Sequence, residues 1–282
     1  MTGLAEVAPP ELGKEILRLD NVNVHFPVKM PFVQRLLQRK ENVVHAVDGV
    51  SFTVRAGEIL GLVGESGCGK TTVGRASVRL VHPTSGRVFF DGQDISKLSG
   101  GHLRILRRKM QIFQDPHASL NPAMTIGRAI GHPLWIHGAA LGLQNLGSEA
   151  FGKWVQQRVL STMKEVGLTP EGQLFDKFPG DLSGGQKQRA VIARALILGP
   201  SLLVVDEGVS MLDMSIRAKV LELMLDLKRR HGLTYLFITH DLAAAKFVCD
   251  RIAIMYLGRI VEIGPARDIY SDPKHPYTEA LL

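Results

Sequence analysis

The sequence has few cysteines and no long apolar run. Its two cysteines, Cys68 and Cys249 in a predicted helix, are too few for a disulfide framework or a cysteine-based metal site, which favours a reducing compartment. The most apolar stretch, residues 190–205, is broken by an arginine, a glycine and a proline, so no run reaches the roughly 18 residues of a membrane-spanning helix. The first residues lack the basic and apolar regions of a secretory signal. We therefore expect a chain that stays in the cytoplasm and does not itself cross a bilayer.

The charge distribution lacks the pattern of a nucleic-acid-binding surface. The formal net charge is +7, and basic residues cluster at 29–40, 104–109 and 228–231. Apart from Phe32, these clusters contain no aromatic side chains, so they lack the interleaved aromatic residues on which single-strand binders stack bases. Solvated helix faces account for the charge better, and no nucleic-acid partner is expected. Contents of 45% hydrophobic and 22% charged residues are ordinary for a globular protein.

A glycine-rich segment has the spacing of a P-loop. Four residues separate Gly64 from Gly69-Lys70-Thr71. In such loops backbone N–H groups approach phosphates and the lysine supplies a positive charge. Residues 59–63 predict a buried strand before the loop, and residues 71–81 predict a helix whose N-terminus faces the anion. The predicted nucleotide-binding loop comprises Gly64, Glu65, Ser66, Gly67, Cys68, Gly69, Lys70, Thr71 and Thr72.

Two acids end a second apolar run. Leu202-Leu203-Val204-Val205 leads into Asp206 and Glu207. P-loop ATPases hold magnesium through the loop hydroxyl and through an acid at the end of a second strand, and Thr71 and Asp206 fit these roles. Glu207 then stands where it can polarise a water as a general base. The alternative, a solvated turn that begins with the two acids, agrees poorly with the apolar strand before them.

Two more polar side chains follow predicted strands. His240 follows the strand at 235–238, where a sensor of the γ-phosphate is expected, although a histidine before Asp241 also suits a helix start. Gln114 closes a strand at 111–113 and begins a largely helical stretch that ends near Gln186, so it can reach magnesium or water. The predicted catalytic residues are Glu207, His240, Gln114 and Lys70, and the predicted metal ligands are Thr71, Gln114 and Asp206.

A second anion site is predicted at Ser183-Gly184-Gly185. Ser183 suits the N-cap of the helix that follows, and the N–H groups of that helix start can bind an anion. The alternative is an ordinary capped helix that touches no ligand. One chain thus carries two phosphate-binding elements and one set of hydrolytic acids. A head-to-tail dimer would use both elements for one nucleotide. Each Ser183 helix would close over the nucleotide on the partner's P-loop.

The remaining pattern indicates a parallel sheet with helices. Alternating runs predict strands at 22–26 and 50–54, and residues 86–93 predict a strand closed by an Asp-Gly turn. Helices are predicted around 126–136, 154–166 and 218–230. Continuous apolar strands separated by helices predict a parallel sheet covered on both faces. Residues 27–42 form a basic insertion, either a short amphipathic helix near a membrane or partner, or a plain surface insertion.

In combination these motifs resemble the ATP-binding subunit of ABC transporters. The resemblance covers nearly the whole chain and rests on Gly64–Thr71, Gln114, Leu182–Gln186, Leu202–Glu207, Ser210–Asp213 and His240. Finer features are similar to the oligopeptide, dipeptide and nickel importer subfamily; they lie at residues 113–116, 119–122, 213–218 and 275–278, the last reading His-Pro-Tyr-Thr.

The resemblance implies an α/β fold of the P-loop NTPase (RecA-like) class. A parallel sheet core is expected together with an antiparallel β subdomain and a helical subdomain. The expected organisation is a flexible tail over residues 1–15, a nucleotide-binding domain over 16–260 with its helical subdomain at about 115–186, and the start of a truncated C-terminal extension over 261–282. No iron–sulfur cluster is expected, because this segment has no cysteines.

The resemblance also implies a function and partners. The expected protein is an ATPase, with ATP and Mg²⁺ as cofactors, on the cytoplasmic side of the cell membrane. Its partners would be transmembrane permease subunits, a second ATPase subunit, identical or paralogous, and indirectly an extracytoplasmic substrate-binding protein. The solute is an oligopeptide or dipeptide, with nickel or another solute as the alternative. A soluble ABC-type ATPase that acts on nucleic acid is a less favoured interpretation.

Several nucleotide contacts are implied only by the resemblance. Phe26 is expected to stack on the adenine, and Asp213 to link the two sites of the dimer. The opposing nucleotide is expected to meet Ser183, Gly184, Gly185 and Gln186. One departure is Gly208, which stands where the family generally has proline. Because glycine admits more backbone conformations, we expect it to loosen the segment after Glu207.

Overall fold

The computed structural model describes residues 13–27, 43–113, 119–138, 147–208 and 213–282. Within these ranges the strands are β1 (Glu15–Pro27), β2 (Val43–Arg55), β3 (Ile59–Val63), β4 (Ser85–Phe90), β5 (Gln93–Asp94), β6 (Met110–Phe113), β7 (Leu202–Asp206), β8 (Thr234–Thr239), β9 (Arg251–Tyr256) and β10 (Arg259–Pro265). The α-helices are α1 (Lys70–Ser77), α2 (Gly100–Leu106), α3 (Ile126–His137), α4 (Ser148–Glu165), α5 (Glu171–Phe175), α6 (Gly184–Leu196), α7 (Met214–His231), α8 (Leu242–Val248), α9 (Ala266–Ser271) and α10 (Pro276–Leu281). Short 3₁₀ turns lie at Arg107–Lys109 and Pro179–Asp181.

The described residues fall into two compact units. One consists of Gly13–Leu98 and Leu236–Leu282 and is called the P-loop unit below; the other is Ser99–Tyr235 and is called the helical unit. The P-loop unit thus takes in both ends of the described chain. Each unit has its own strands and its own buried side chains.

The P-loop unit contains an antiparallel sheet with strand order β2-β1-β4-β5. Leu19 on β1 lies opposite Phe52 on β2 and Val88 on β4. The apolar side chains of β1 alternate, so that Leu17 and Leu19 on one face are buried. This period of two is the one that predicted the strands from sequence.

The same unit contains a parallel pair of strands. Strand β3 pairs with β9 in parallel, and β9 pairs with β10 in an antiparallel hairpin. Every residue of β3 is buried, as the continuous apolar run predicts for a strand covered on both faces. A main-chain link holds the entry to β3, because the carboxylate of Asp250 accepts a 2.7 Å hydrogen bond from the N–H of Ile59.

The helical unit combines a second parallel pair with several packed helices. Strands β6 and β7 run parallel, with Ile112 opposite Val204. Helix α3 approaches its neighbours closely, since a Cβ at Gly127 would lie 2.5 Å from the ring of Phe175 on α5. A Cβ at Gly131 would lie 3.1 Å from side chains of α4. The helices predicted around 126–136 and 154–166 are therefore confirmed, although α4 begins six residues before its predicted start at Trp154.

The helix predicted over residues 71–81 ends early. Helix α1 stops at Ser77, and Arg79 adopts a left-handed backbone conformation (φ 59°) that ends it. The guanidinium of Arg79 turns inward and donates to the carbonyl oxygens of Ile95 (2.9 Å) and Leu98 (3.3 Å). A long-range bond of an arginine overrides local helix propensity here, which sequence periodicity does not reveal.

The two cysteines are buried and form no disulfide, as expected. Cys249 lies one residue beyond α8 rather than inside a helix, which corrects the sequence prediction. None of the helices in the described ranges combines the length and the apolarity needed to cross a membrane. The predicted basic insertion at residues 27–42 lies largely outside the described residues, as does the predicted tail at 1–15.

A nearly buried ion pair predicts a stability effect. Glu58 is 7% exposed; its carboxylate accepts from the guanidinium of Arg251 at 2.9 Å and from the N–H of Arg55 at 2.7 Å. We expect Glu58→Ala to lower the free energy of unfolding by about 2–3 kcal/mol, because the N–H of Arg55 loses its acceptor and the Arg251 guanidinium keeps only a carbonyl partner, that of Thr53. Urea unfolding followed by circular dichroism measures it.

The control is Asp20→Ala, which removes the partner of Arg87 in an exposed pair. Its cost is expected below about 1 kcal/mol. Equal losses for Glu58→Ala and Asp20→Ala would show that burial adds nothing to the Glu58 interaction.

Candidate functional site

The P-loop connects a buried strand to the start of a helix. Strand β3 ends at Val63, and α1 begins at Lys70 with Gly69 as its N-cap. No side chain caps α1, and no acidic residue lies in its first turn. The backbone N–H groups at a helix start carry partial positive charge and need acceptors. The loop is therefore suited to an anionic ligand, as its sequence predicts.

Two glycines of the loop are required by close backbone contacts. A Cβ on Gly64 would lie 2.2 Å from the carbonyl oxygen of Met255, and one on Gly69 would lie 2.1 Å from that of Ala46. Gly69 also has φ 108°. Gly67 differs, since its φ is 83° but a Cβ there would meet nothing within 4 Å. The loop thus packs its main chain directly on β2 and β9.

The side chain of Lys70 folds back onto its own loop. It is only 4% exposed, and its ammonium donates to the carbonyl oxygens of Gly64 (2.8 Å) and Glu65 (2.7 Å). These acceptors are neutral, so the positive charge remains available to an anion that enters the loop. The sulfur of Cys68 lies 3.8 Å from the ammonium nitrogen. Burial raises the pKa of the Cys68 thiol, although Lys70 opposes the shift. The thiol is thus protonated near neutral pH.

The remaining predicted loop residues differ in exposure. Glu65, Ser66 and Gly67 are exposed, whereas Thr71 and Thr72 are half-buried in the first turn of α1. A polyphosphate entering the loop would thus meet backbone N–H groups at the rim and the hydroxyl groups deeper in. The cradle formed by glycine main chain, lysine and uncapped helix fits a nucleotide phosphate chain.

Phe26 lies on the strand pair that borders the P-loop. It is 43% exposed and stands opposite Val44 in the register of β1 and β2. Two residues farther along β2, the carbonyl oxygen of Ala46 is the group that excludes a side chain at Gly69. An exposed aromatic ring near the phosphate cradle suits the predicted adenine contact, which stays a prediction.

His240 occupies the turn between β8 and α8. It is exposed and follows Thr239, the last residue of the strand. The turn is fixed by Asp241, whose N–H donates to the Thr239 hydroxyl (2.9 Å) and whose carboxylate accepts from the N–H of Ala244 (3.0 Å). The histidine thus stands at a strand end, as predicted, and belongs to the P-loop unit.

In the helical unit, Ser183 caps α6 as predicted. Its hydroxyl accepts from the N–H of Gln186 (3.3 Å), and the Gln186 side chain accepts from the N–H of Ser183 (3.0 Å), which completes a capping box. Ser183 is exposed, and Gly184 and Gly185 are half-buried. The amide of Gln186 therefore has a structural partner within its own turn.

Strand β7 ends at Asp206, and the glutamate that follows it has an unusual backbone conformation. Asp206 is 3% exposed at the end of a strand in which every residue is buried. Glu207 is half-buried and adopts φ 51°, a left-handed conformation that is uncommon for a residue with a side chain. Such strain tends to be kept at functional sites. The conformation redirects the chain immediately after the strand and supports a special role for Glu207.

Gly208 lies in a cramped position. A Cβ there would lie 3.1 Å from Phe113 and Val205 and 3.3 Å from the side-chain nitrogen of Gln188. The amide of Gln188 is fully buried, and neither its nitrogen nor its oxygen has a hydrogen-bond partner among the described residues. Glycine at position 208 thus leaves room beside the buried side-chain amide of Gln188, which the sequence did not predict. The looser backbone expected of Gly208 stays a prediction.

Of the remaining predicted site residues, the structure describes Asp213 but not Gln114. Gln114 lies outside the described residues. Asp213 is exposed and immediately precedes α7, without capping it through its side chain, and residues 209–212 before it lie outside the described ranges. Within the described chain no cluster of three or more His, Cys, Asp or Glu side chains could hold a metal alone. A hydroxyl and a carboxylate suit Mg²⁺, which takes much of its coordination from water and phosphate.

The chain is similar to known proteins in sequence. The family described as ABC transporter matches residues 47–210. The chain is 48% identical over 271 residues to the glutathione import ATP-binding protein GsiA of Shigella boydii, covering 96% of this chain and 41% of that protein. It is 44% identical over 274 residues to the protein of the same name from Pectobacterium atrosepticum, covering 97% and 41%. The chain thus spans less than half the length of these curated relatives.

Solved structures share the fold. The ATP-binding cassette MJ0796, in a dimeric post-hydrolysis state bound to ADP and Pi, has a TM-score of 0.74 and 28% identity, over 89% of this chain and 99% of that one. The structure of cbiO1 from Clostridium perfringens, part of the ABC transporter complex cbiONQ, has a TM-score of 0.73 and 25% identity, over 92% of each chain.

Substitution of Gly67 and of Gly69 allows a matched comparison. Both Gly67 and Gly69 have positive φ, but only Gly69 faces a backbone oxygen at its Cβ position. Gly67→Ala is expected to cost about 1–2 kcal/mol from the left-handed backbone alone. Gly69→Ala is expected to cost about 2 kcal/mol more, because the main chain of β2 must shift. Urea unfolding of both variants tests the difference, and similar losses would refute the close approach of Gly69 to Ala46.

Proposed function

This chain belongs to the ABC transporter family, and from that premise we propose that it is the ATP-hydrolysing subunit of an importer of small peptides. The family and the α/β fold class predicted from the motifs are confirmed. The observation that carries the proposal is the P-loop, where a nearly buried lysine ammonium is held by neutral carbonyl oxygens beside an uncapped helix start.

The proposed binding of ATP follows from the chemistry of this loop. The N–H groups of the loop and of the first turn of α1 would donate hydrogen bonds to the phosphate oxygens, and Lys70 would exchange its carbonyl partners for phosphate oxygens. Phe26 would stack on the adenine. Thr71, Asp206 and Gln114 are the residues that would hold Mg²⁺, which would supply positive charge to offset that of the phosphates.

Hydrolysis requires a group that orients and deprotonates water. Glu207 is the proposed general base, since it follows the buried end of β7 and keeps a strained backbone. His240, fixed in the turn after β8, would sense the γ-phosphate.

A head-to-tail dimer supplies the second anion site. Ser183, Gly184, Gly185 and Gln186 form a capped and partly exposed helix start, which would bind the γ-phosphate on a partner chain. Asp213 would connect the two sites. The dimeric state of the MJ0796 cassette supports this arrangement.

Import of peptides is supported by the relatives. GsiA is named as an import ATP-binding protein for glutathione, a tripeptide, and it is 48% identical to this chain. Because the solute is chosen by permease and binding-protein subunits, the proposal extends only to small peptides as a class. The proposed location is the cytoplasmic face of the membrane, on permease subunits.

Glu207→Gln tests the catalytic assignment. The variant keeps the shape of the side chain but cannot accept a proton, so turnover is expected to fall about 10²- to 10⁴-fold. ATP affinity, measured by calorimetry, is expected to stay within about threefold of the wild type. With Mg-ATP bound and not hydrolysed, the variant is expected to dimerise in light scattering.

The matched control is Glu222→Gln, an exposed glutamate on α7 of the same unit. It is expected to leave turnover and the oligomeric state unchanged. Wild-type turnover in Glu207→Gln would exclude Glu207 as the base, and a variant that stays monomeric with ATP and permease would argue against the dimer.

Import is tested by isolating the complex. Affinity capture of the tagged chain from detergent-solubilised membranes of its native cell is expected to recover permease subunits. Vesicles that contain this complex and a binding protein are expected to accumulate a labelled di- or tripeptide only with internal ATP. Recovery of the chain without any membrane protein would contradict the importer assignment.

A further inference from the structure

The C-terminal helix reaches the P-loop through a tyrosine. The hydroxyl oxygen of Tyr277 on α10 accepts a 3.2 Å hydrogen bond from the backbone N–H of Glu65, 212 positions away in sequence. We propose that Tyr277 is a positioning residue for the ATP site, which fixes the Gly64–Glu65 peptide and, through it, the ammonium of Lys70. The inference rests on the proposed ATPase function and adds a residue to it.

One peptide unit carries both bonds. The carbonyl of Gly64 and the N–H of Glu65 belong to the same planar trans peptide, so they point in opposite directions. Tyr277 holds the N–H end, and the ammonium of Lys70 donates to the carbonyl end at 2.8 Å. A rotation of this peptide plane would break both bonds together. The tyrosine therefore restricts where the lysine ammonium can rest before ATP arrives.

Tyr277 is itself held by its surroundings. Its N–H donates to the imidazole Nδ1 of His275 at 3.1 Å, which caps α10. The carboxylate of Glu262 on β10 accepts from the N–H groups of Lys274 (2.9 Å) and His275 (3.1 Å). The residues just before Tyr277 are thus hydrogen-bonded to strand β10.

A second contact fixes the ring and links it to the loop again. The ring centroid of Tyr277 lies 4.3 Å from that of Tyr256, the last residue of β9. Two residues later, the N–H of Gly258 donates to the carbonyl oxygen of Cys68 at 2.9 Å. The hairpin is therefore hydrogen-bonded to the P-loop at Cys68, and Tyr277 is hydrogen-bonded to it at Glu65. These two points bracket the exposed residues Ser66 and Gly67.

The hydroxyl stays neutral under working conditions. Burial raises the pKa of Tyr277 above the ordinary value for tyrosine, although the N–H of Glu65 opposes the shift. A folded-state pKa above 10 means that the proton is retained at any pH at which the protein would work. Across the physiological pH range the bond from Glu65 is therefore accepted by a neutral hydroxyl.

The test compares two tyrosines of the C-terminal segment. Tyr277→Phe keeps the ring on Tyr256 and removes only the acceptor of the Glu65 N–H. Tyr270→Phe is the matched control, because the Tyr270 hydroxyl donates to the carbonyl of Leu242 and does not contact the P-loop. Both variants lose one tyrosine hydrogen bond, so a general loss of stability would affect both.

Three measurements define the expected result. By calorimetry, Tyr277→Phe is expected to raise the Kd for Mg-ATP about 3- to 10-fold, the range that loss of one hydrogen bond gives. The KM for ATP is expected to rise in parallel, with kcat at saturating ATP within about twofold of the wild type. Hydrogen exchange of the Glu65 amide is expected to accelerate without nucleotide. Tyr270→Phe is expected to leave all three unchanged.

Each alternative outcome has one meaning. If the wild type binds and hydrolyses ATP but Tyr277→Phe has the same Kd and KM, the positioning role is wrong. If both variants weaken ATP binding equally, the effect is a loss of stability and the positioning role is again wrong. If the wild type neither binds nor hydrolyses ATP, alone or with its permease, the proposed function fails first, and accelerated exchange at Glu65 would still show the contact.

Discussion

The main chain of the P-loop lies against two other main chains with no room for a side chain between them. At Gly64 the neighbour is the carbonyl of Met255 on β9, and at Gly69 it is the carbonyl of Ala46 on β2. Strands from both sheets of the P-loop unit must therefore be in place before the loop can adopt this shape. The antiparallel sheet thus has a direct part in shaping a phosphate cradle that belongs to the parallel strands. Phe26, which is exposed, lies opposite Val44 on the same strand β2.

The helical unit relies on local main-chain conformation instead. The start of α6 is fixed within four residues, because Ser183 and Gln186 satisfy each other's N–H groups. The turn after β7 is fixed by the left-handed Glu207 and by the tight space around Gly208. Such short-range devices place a functional group with little dependence on distant contacts. The two units therefore illustrate different ways to position phosphate-binding groups.

Sequence patterns predicted what depends on neighbouring residues. The strand before the loop, the acids at the end of β7 and the N-cap at Ser183 are each encoded in runs of fewer than ten residues, and the structure has each of them at its predicted position. The sequence patterns did not predict features that depend on residues far away in the sequence. The end of α1 depends on the burial of Arg79, whose acceptors lie 16 and 19 residues away. In the sequence Tyr277 is part of a His-Pro-Tyr-Thr motif, and nothing in that motif indicates a contact with Glu65.

The bond between positions 65 and 277 joins a side chain to a main-chain N–H. Any residue except proline supplies that N–H, so the side chain at 65 is free to vary while the tyrosine is kept. Comparison of many relatives would therefore find no correlated changes between the two positions. The coupling would show itself only as an exclusion of proline at 65 wherever tyrosine stands at 277. Methods that infer contacts from paired substitutions would overlook this link between the end of the chain and the nucleotide cradle.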